Sequence, residues 1–164
     1  MSSASDVAAG GGRPVGPYSP VTRAGTWVVT SGQVGAVTGP DGTPRLVPGG
    51  IEAELRQVLT NLAGVLRLEG AGLADVKKAM VFLIDMEDYG VMNRIWIEAF
   101  ADPKPARSAV AVAALPLGAR VEVEAWAFLP PTPHSPAPSS GTPSGASPGT
   151  SSGASGDALT DHAG

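Results

Sequence analysis

The chain of 164 residues contains no cysteine. Disulfides and thiol chemistry are therefore excluded, and nothing indicates a redox compartment. Histidine is nearly absent: His134 and His162 are the only two, and both fall in a C-terminal stretch rich in Pro, Ser, Gly, Ala and Thr. That scarcity removes histidine-based acid–base catalysis and any Ser–His–Asp arrangement. With neither histidine nor cysteine upstream of that stretch, no zinc site is expected. Basic residues never cluster, the densest group being Lys77–Lys78. Residues 1–129 hold all 11 Lys and Arg and 13 of the 15 Asp and Glu, since only Asp157 and Asp161 lie beyond, so their net charge is −2 (11 minus 13). A nucleic-acid binder ordinarily shows a basic stripe that neutralises phosphates, and no such partner is expected here. Long apolar runs are also missing. The longest, Ala109 to Leu115, is too short to span a bilayer. The N-terminus lacks the basic and apolar regions of a signal peptide. These absences predict a cytoplasmic protein with no membrane partner. Nor is there a Walker or dinucleotide fingerprint, because "PGGIE" at Pro48 to Glu52 lacks both the lysine and the spacing.

What is present divides the chain in three. Residues 1–13 are small and polar, and are expected to be flexible. Residues 14–129 have the composition and length of one ordinary domain. Residues 130–164 are nearly all Pro, Ser, Gly, Ala and Thr. Such a tail has too little apolar surface to offset the entropy of ordering it, and disorder is expected.

Within the domain, "TWVVTSGQV" (Thr26 to Val34) is β-branched and aromatic and reads as a strand. The preceding "YSPVTRAG" reads as a short partner turning at Ala24–Gly25, and "GPDGTP" (Gly39 to Pro44) as a loop. Apolar residues recur at Ile51, Leu55, Val58, Leu59, Leu62, Val65 and Leu66, a helical period, with Glu52 and Glu54 in the first turn and Gly70 after the last. "DVKKAMVFLID" (Asp75 to Asp85) reads as an interior strand. A second helix is predicted from about Asp88 to Phe100, and two strands close the domain, "ARSAVAVAA" and "RVEVEAWAF". The order strand, helix, strand, helix, strand, strand defines an α+β fold.

Strand parity shows what the helices leave uncovered. Val121, Val123, Ala125 and Ala127 share one side of the last strand; Glu122, Glu124, Trp126 and Phe128 share the other. Two large aromatics beside two carboxylates make a poor solvent face and a good subunit interface containing a polar pocket. Arg107 alternates with Val110 and Val112, on the side of Ala109 and Ala111. An arginine opening such an apolar strand needs an anion, either from its own protein or from a ligand. The chemical inventory is then Arg107, Glu122, Glu124, Tyr18, Ser31, Asn93 and main-chain groups.

Five stretches in order, "GPYSP", "VTSGQV", "MNRIWIEAF", "KPARSAVAVAALP" and "RVEVEAWAF", resemble the RidA (YjgF) family of enamine/imine deaminases, from about Gly16 to Phe128. The resemblance implies a chorismate-mutase-like fold: a mixed sheet with main strands in the order 1-4-2-3, two helices on one face, and open faces packed into a homotrimer with sites between subunits. In that order Arg107 lies on an edge strand two positions from the Glu122 strand, roughly 10 Å away within one chain at about 4.8 Å per strand step.

The implied partner is a small imino acid of the 2-aminoacrylate or 2-iminobutyrate type, hydrolysed to a 2-keto acid and ammonia without cofactor or metal. Arg107 would grip the carboxylate, a task suited to a planar fork of donors. Glu122 would orient and activate water, and Tyr18, Ser31, Gly32, Asn93 and Ala109 would line the substrate site. Two departures stand out. Ala109 takes the place where relatives often carry cysteine, and Val34–Gly35 replaces a branched residue and proline, which is expected to loosen a loop at the pocket edge. Two rival expectations are a non-catalytic carboxylate-binding member of the same fold, and a ribonuclease or translation inhibitor.

Overall fold

The computed structural model describes residues 16–131. The expectations for residues 1–13 and for the tail from residue 132 onward lie outside the described residues. β1 (Val21–Ala24) and β2 (Trp27–Thr30) form a hairpin. Two short strands follow, β3 (Gln33–Val34) and β4 (Ala36–Thr38), and β4 pairs with β5 (Pro44–Leu46) in a separate two-stranded sheet. The main sheet is completed by β6 (Val76–Leu83), β7 (Ala106–Ala111) and β8 (Val121–Phe128), in the order β1-β2-β8-β6-β7, with β3 also on β8. The predicted 1-4-2-3 order of main strands is therefore present as β2-β8-β6-β7. All pairings are antiparallel except β6 with β7, whose connection carries a helix.

Helix α1 (Gly50–Arg67) buries Leu55, Val58, Leu59, Leu62, Val65 and Leu66, the stripe that its sequence period predicts. It ends where Ala71 N–H bonds to the Leu66 carbonyl and Gly70 N–H to that of Arg67, a Schellman closure. Helix α2 (Tyr89–Ala99) buries Met92, Ile95 and Trp96. Both helices meet one face of the sheet. Val121, Val123, Ala125 and Ala127 of β8 and Ala79, Val81 and Leu83 of β6 are fully buried on that face. The opposite face of β8, with Glu122, Glu124, Trp126 and Phe128, is only half-buried, as parity predicts. Trp27 continues it, packing edge-on to Phe128 at a centroid distance of 5.3 Å.

Polar links from both helices fix the start of β8. The carboxylate of Glu54, buried in α1, accepts from the Arg120 main-chain N–H at 2.8 Å. The Arg120 guanidinium donates to Asp88, just before α2, also at 2.8 Å. Two residues after Arg120 comes Glu122.

Candidate functional site

The strand expected over Thr26 to Val34 is broken. Between the pairs Val29↔Trp126 and Gln33↔Val123, the residues Thr30, Ser31 and Gly32 oppose only Glu124 and Ala125. Three against two is a β-bulge, a device that interrupts a ladder and re-aims side chains. The buried Thr30 hydroxyl accepts from Ala125 N–H at 3.0 Å, supplying an acceptor where the ladder lapses. Ser31 is turned toward the Tyr18 segment: its N–H donates to the Pro20 carbonyl at 2.9 Å and its hydroxyl to the Ser19 carbonyl at 2.7 Å. A Cβ on Gly32 would lie 1.6 Å from Glu122 Oε1, so the carboxylate rests where any other residue would carry its side chain. Glycine leaves the carboxylate this position, and any side chain there would make Glu122 move.

The bulge opens onto a cavity of about 430 Å³, within the range of small-ligand sites, whose walls include Tyr18, Ser31, Gly32, Glu122 and Glu124. Burial lifts the Glu122 carboxyl above the usual carboxylate range, and the charge of Glu124 on the same strand face adds to the effect. A carboxylate so raised is a stronger base than one in water.

Gly35, expected to loosen the pocket edge, does the reverse. Its carbonyl accepts from Val47 N–H at 2.9 Å, and a Cβ there would meet the Glu54 main chain at 2.6 Å. The carbonyls on either side, of Val34 and Ala36, both accept from the buried Asn61 side chain of α1, at 3.0 and 2.8 Å. The absence of a side chain allows the connection to lie against the helix, and Asn61 pins it.

Arg107 belongs to a second cluster. Its partner on β6 is the fully buried Ala79, so it points to the helix-bearing face, at the edge of the sheet. One guanidinium nitrogen donates to Asn93 Oδ1 at 2.6 Å and approaches the Tyr89 hydroxyl at 3.5 Å. The guanidinium carbon sits 5.0 Å from the Trp96 ring centre and 5.6 Å from that of Tyr89, both cation–π distances. The helix spacing of 89, 93 and 96 puts all three on one side of α2. Neither an Asp nor a Glu is among these contacts, which leaves donors of the fork for an outside anion. Ala109, two residues on, packs at the border of the core.

Of the residues singled out in the sequence, Tyr18, Ser31, Gly32 and Glu122 thus meet at one cavity. Arg107 and Asn93 meet each other, and Ala109 shares their strand face. The two groups are on opposite faces of the sheet within one chain. Asn61, Tyr89 and Leu117 also stand at these places and are not among the residues that the sequence picks out. An asparagine inside the apolar stripe of α1 was the available signal for Asn61. The i, i+4 spacing of Tyr89 and Asn93 was the signal for Tyr89.

The fold and site define an α+β domain with two helices on one sheet face and a carboxylate-lined cavity reached from the other. The sequence model of the family described as Endoribonuclease L-PSP matches residues 11–129. A 2-iminobutanoate/2-iminopropanoate deaminase of Mus musculus is 42% identical over 117 residues, covering 71% of this chain and 84% of that protein. A RutC family protein of Pyrococcus horikoshii is 40% identical over 116 residues, covering 71% and 90%. Among solved structures, RidA from an Antarctic Psychrobacter superposes with a TM-score of 0.67 at 37% identity, covering 73% of this chain and 94% of that one. The chain belongs to this family, also known as the YjgF/RidA family.

Proposed function

We propose that this protein hydrolyses reactive 2-enamine and 2-imino acids to 2-keto acids and ammonia, in a site shared between subunits of a homotrimer. The observation that carries this reading is the Glu122 carboxylate seated against Gly32 in a cavity lined by Tyr18 and Ser31, with its affinity for protons raised. Relatives at about 40% identity that are named 2-iminobutanoate/2-iminopropanoate deaminase support it.

The chemistry requires little. An iminium carbon is already electrophilic, so holding the substrate, orienting one water and absorbing one proton suffice. Arg107, with its fork steadied by Asn93 and two rings, takes the substrate carboxylate. Glu122 accepts a proton from water as the oxygen adds to C2. That proton then passes to the amine nitrogen, and as the C2–N bond breaks the hydroxyl proton returns to Glu122 and on to the freed ammonia, so that a keto acid and ammonium leave. Since Arg107 and Glu122 lie on opposite faces of one chain's sheet, the reading assigns them to one site through contact between two subunits.

A binding protein without turnover would use Arg107 and the same cavity, but would gain nothing from a carboxylate made more basic. A ribonuclease, the name that the family description carries, would need to attract phosphate. The cavity presents Glu122 and Glu124 instead, and both histidines of the chain lie in the tail. The test is a coupled assay in which a serine or threonine dehydratase generates the imino acid in place. Faster pyruvate or 2-oxobutanoate release with this protein is the expected result; no acceleration at any concentration overturns the reading.

A further inference from the structure

The loop that leads into β8 carries a feature that its packing does not explain. Leu117 has φ 59° and ψ 7°, the left-handed region that a non-glycine residue seldom enters. Gly118 follows in the same region at φ 75°. Leu117 gains little burial within its own chain in return, since the residue is 49% exposed. The backbone around it is closed by bonds from Gly118 N–H to Leu115 and from Ala119 N–H to Pro116, and is held behind by Glu54 on Arg120 N–H. An outlying backbone fixed by its surroundings, carrying an exposed apolar side chain, is a mark of function.

The side chain lines the cavity that holds Glu122. Its apolar neighbours in that wall are Pro20, Val34, Ala36, Pro44 and Pro116, all shorter or cyclic, so Leu117 is the longest aliphatic group there. It is five positions before Glu122 on the same loop and strand. Leu117, Glu122 and Ser31 line one cavity, so the apolar part of a ligand held there has Leu117 within the same walls.

We infer that Leu117 is a specificity-determining residue that limits the length of the substrate side chain. The inference rests on the deaminase reading and adds to it the residue that would favour short side chains, such as those of the 2-iminopropanoate and 2-iminobutanoate for which relatives are named, over longer or branched ones. One aliphatic group in an apolar wall commonly sets discrimination of about tenfold or more.

Leu117→Gly is the direct test, because glycine accepts the left-handed backbone and removes the side chain. The full-length protein and its variants are assayed with imino acids made in place by an L-amino-acid oxidase, from alanine, 2-aminobutyrate, leucine and phenylalanine. Melting temperature is recorded alongside. Leu117→Gly is expected to raise kcat/KM for the leucine-derived imine relative to the alanine-derived one by about tenfold, with the melting temperature unchanged or higher. Leu117→Met, of nearly the same volume and equally apolar, is expected to keep the wild-type ratio. A ratio unchanged in Leu117→Gly overturns the role of Leu117 alone. A shift in Leu117→Met as large as in Leu117→Gly overturns it too, by tracing the effect to something other than side-chain volume. A wild type that deaminates none of the four imines overturns the functional reading, and this inference with it.

Discussion

Arg107 and Glu122 make different demands on their neighbours, so their substitutions should separate. Arg107→Lys keeps the charge but loses the paired donors that Asn93 steadies. Losing one charge-assisted bond of about 1.5–3 kcal/mol predicts a fall in kcat/KM of roughly ten- to a hundredfold, read in the dehydratase-coupled assay, and Arg107→Ala should be worse. Glu122→Gln should spare KM and lower kcat. Its stability should move the other way. A carboxyl whose folded pKa is raised favours the fold most below its unfolded pKa and loses that contribution as pH rises through the folded one. At neutral pH Glu122→Gln should therefore melt no lower than wild type. Glu124 supplies a test by titration. In the proposed role Glu122 acts as the ionised carboxylate, so kcat/KM should fall on the acid side of its raised pKa. Removing the neighbouring charge in Glu124→Gln lowers that pKa, and the acid limb of the pH–kcat/KM profile should shift to lower pH. A limb that stays in place would show that Glu122 is not the titrating base.

At the scale of elements, the bulge between β2 and β3 does most to build the cavity. Gly32→Ala should displace the Glu122 carboxylate, because the new Cβ would fall 1.6 Å from its oxygen. Activity should drop at least as far as in Glu122→Gln, whereas the sheet pairs on either side should hold. Asn61→Ala removes both donors from the Val34 and Ala36 carbonyls and should cost about 1–3 kcal/mol, measurable by denaturant unfolding. These elements also show what the sequence could convey. The α1 stripe and the two faces of β8 were legible, because period and parity report which side chains are buried; the β2-β8-β6-β7 order was legible only through the family resemblance. The bulge was not, because "VVTSGQV" has the same β-branched composition whether or not one residue is left unpaired. The hairpin of β4 and β5 around "GPDGTP" was missed for a related reason: three-residue strands show no alternation to count. Tyr18, Ser31, Gly32 and Glu122 were named together from motif resemblance, and their meeting at one cavity has the bulge as its physical cause. The pinning of Gly35 was beyond the sequence, since it depends on an asparagine 26 positions away.

For the whole molecule, the decisive fact is that Arg107 and Glu122 face opposite ways within one chain. A site that uses both needs a second copy, and the half-buried Trp126 and Phe128 with the exposed Trp27 supply an apolar face on which one can pack. The expected assembly is a trimer, and sedimentation at micromolar concentration should show it. Oligomer mass alone would not prove that sites are shared, but complementation would. Arg107→Ala and Glu122→Gln should each be nearly inactive alone. Across all trimers formed by co-refolding equal amounts, a site is intact when the subunit giving arginine is a Glu122→Gln chain and the one giving glutamate is an Arg107→Ala chain. The chance of that is one half times one half, so about a quarter of wild-type activity should return. If both residues act within one chain, every subunit carries one defect and no site is whole. Recovery near a quarter would place the site between subunits. Trimers shown to be mixed by mass spectrometry, with activity no higher than the parents, would exclude a shared site.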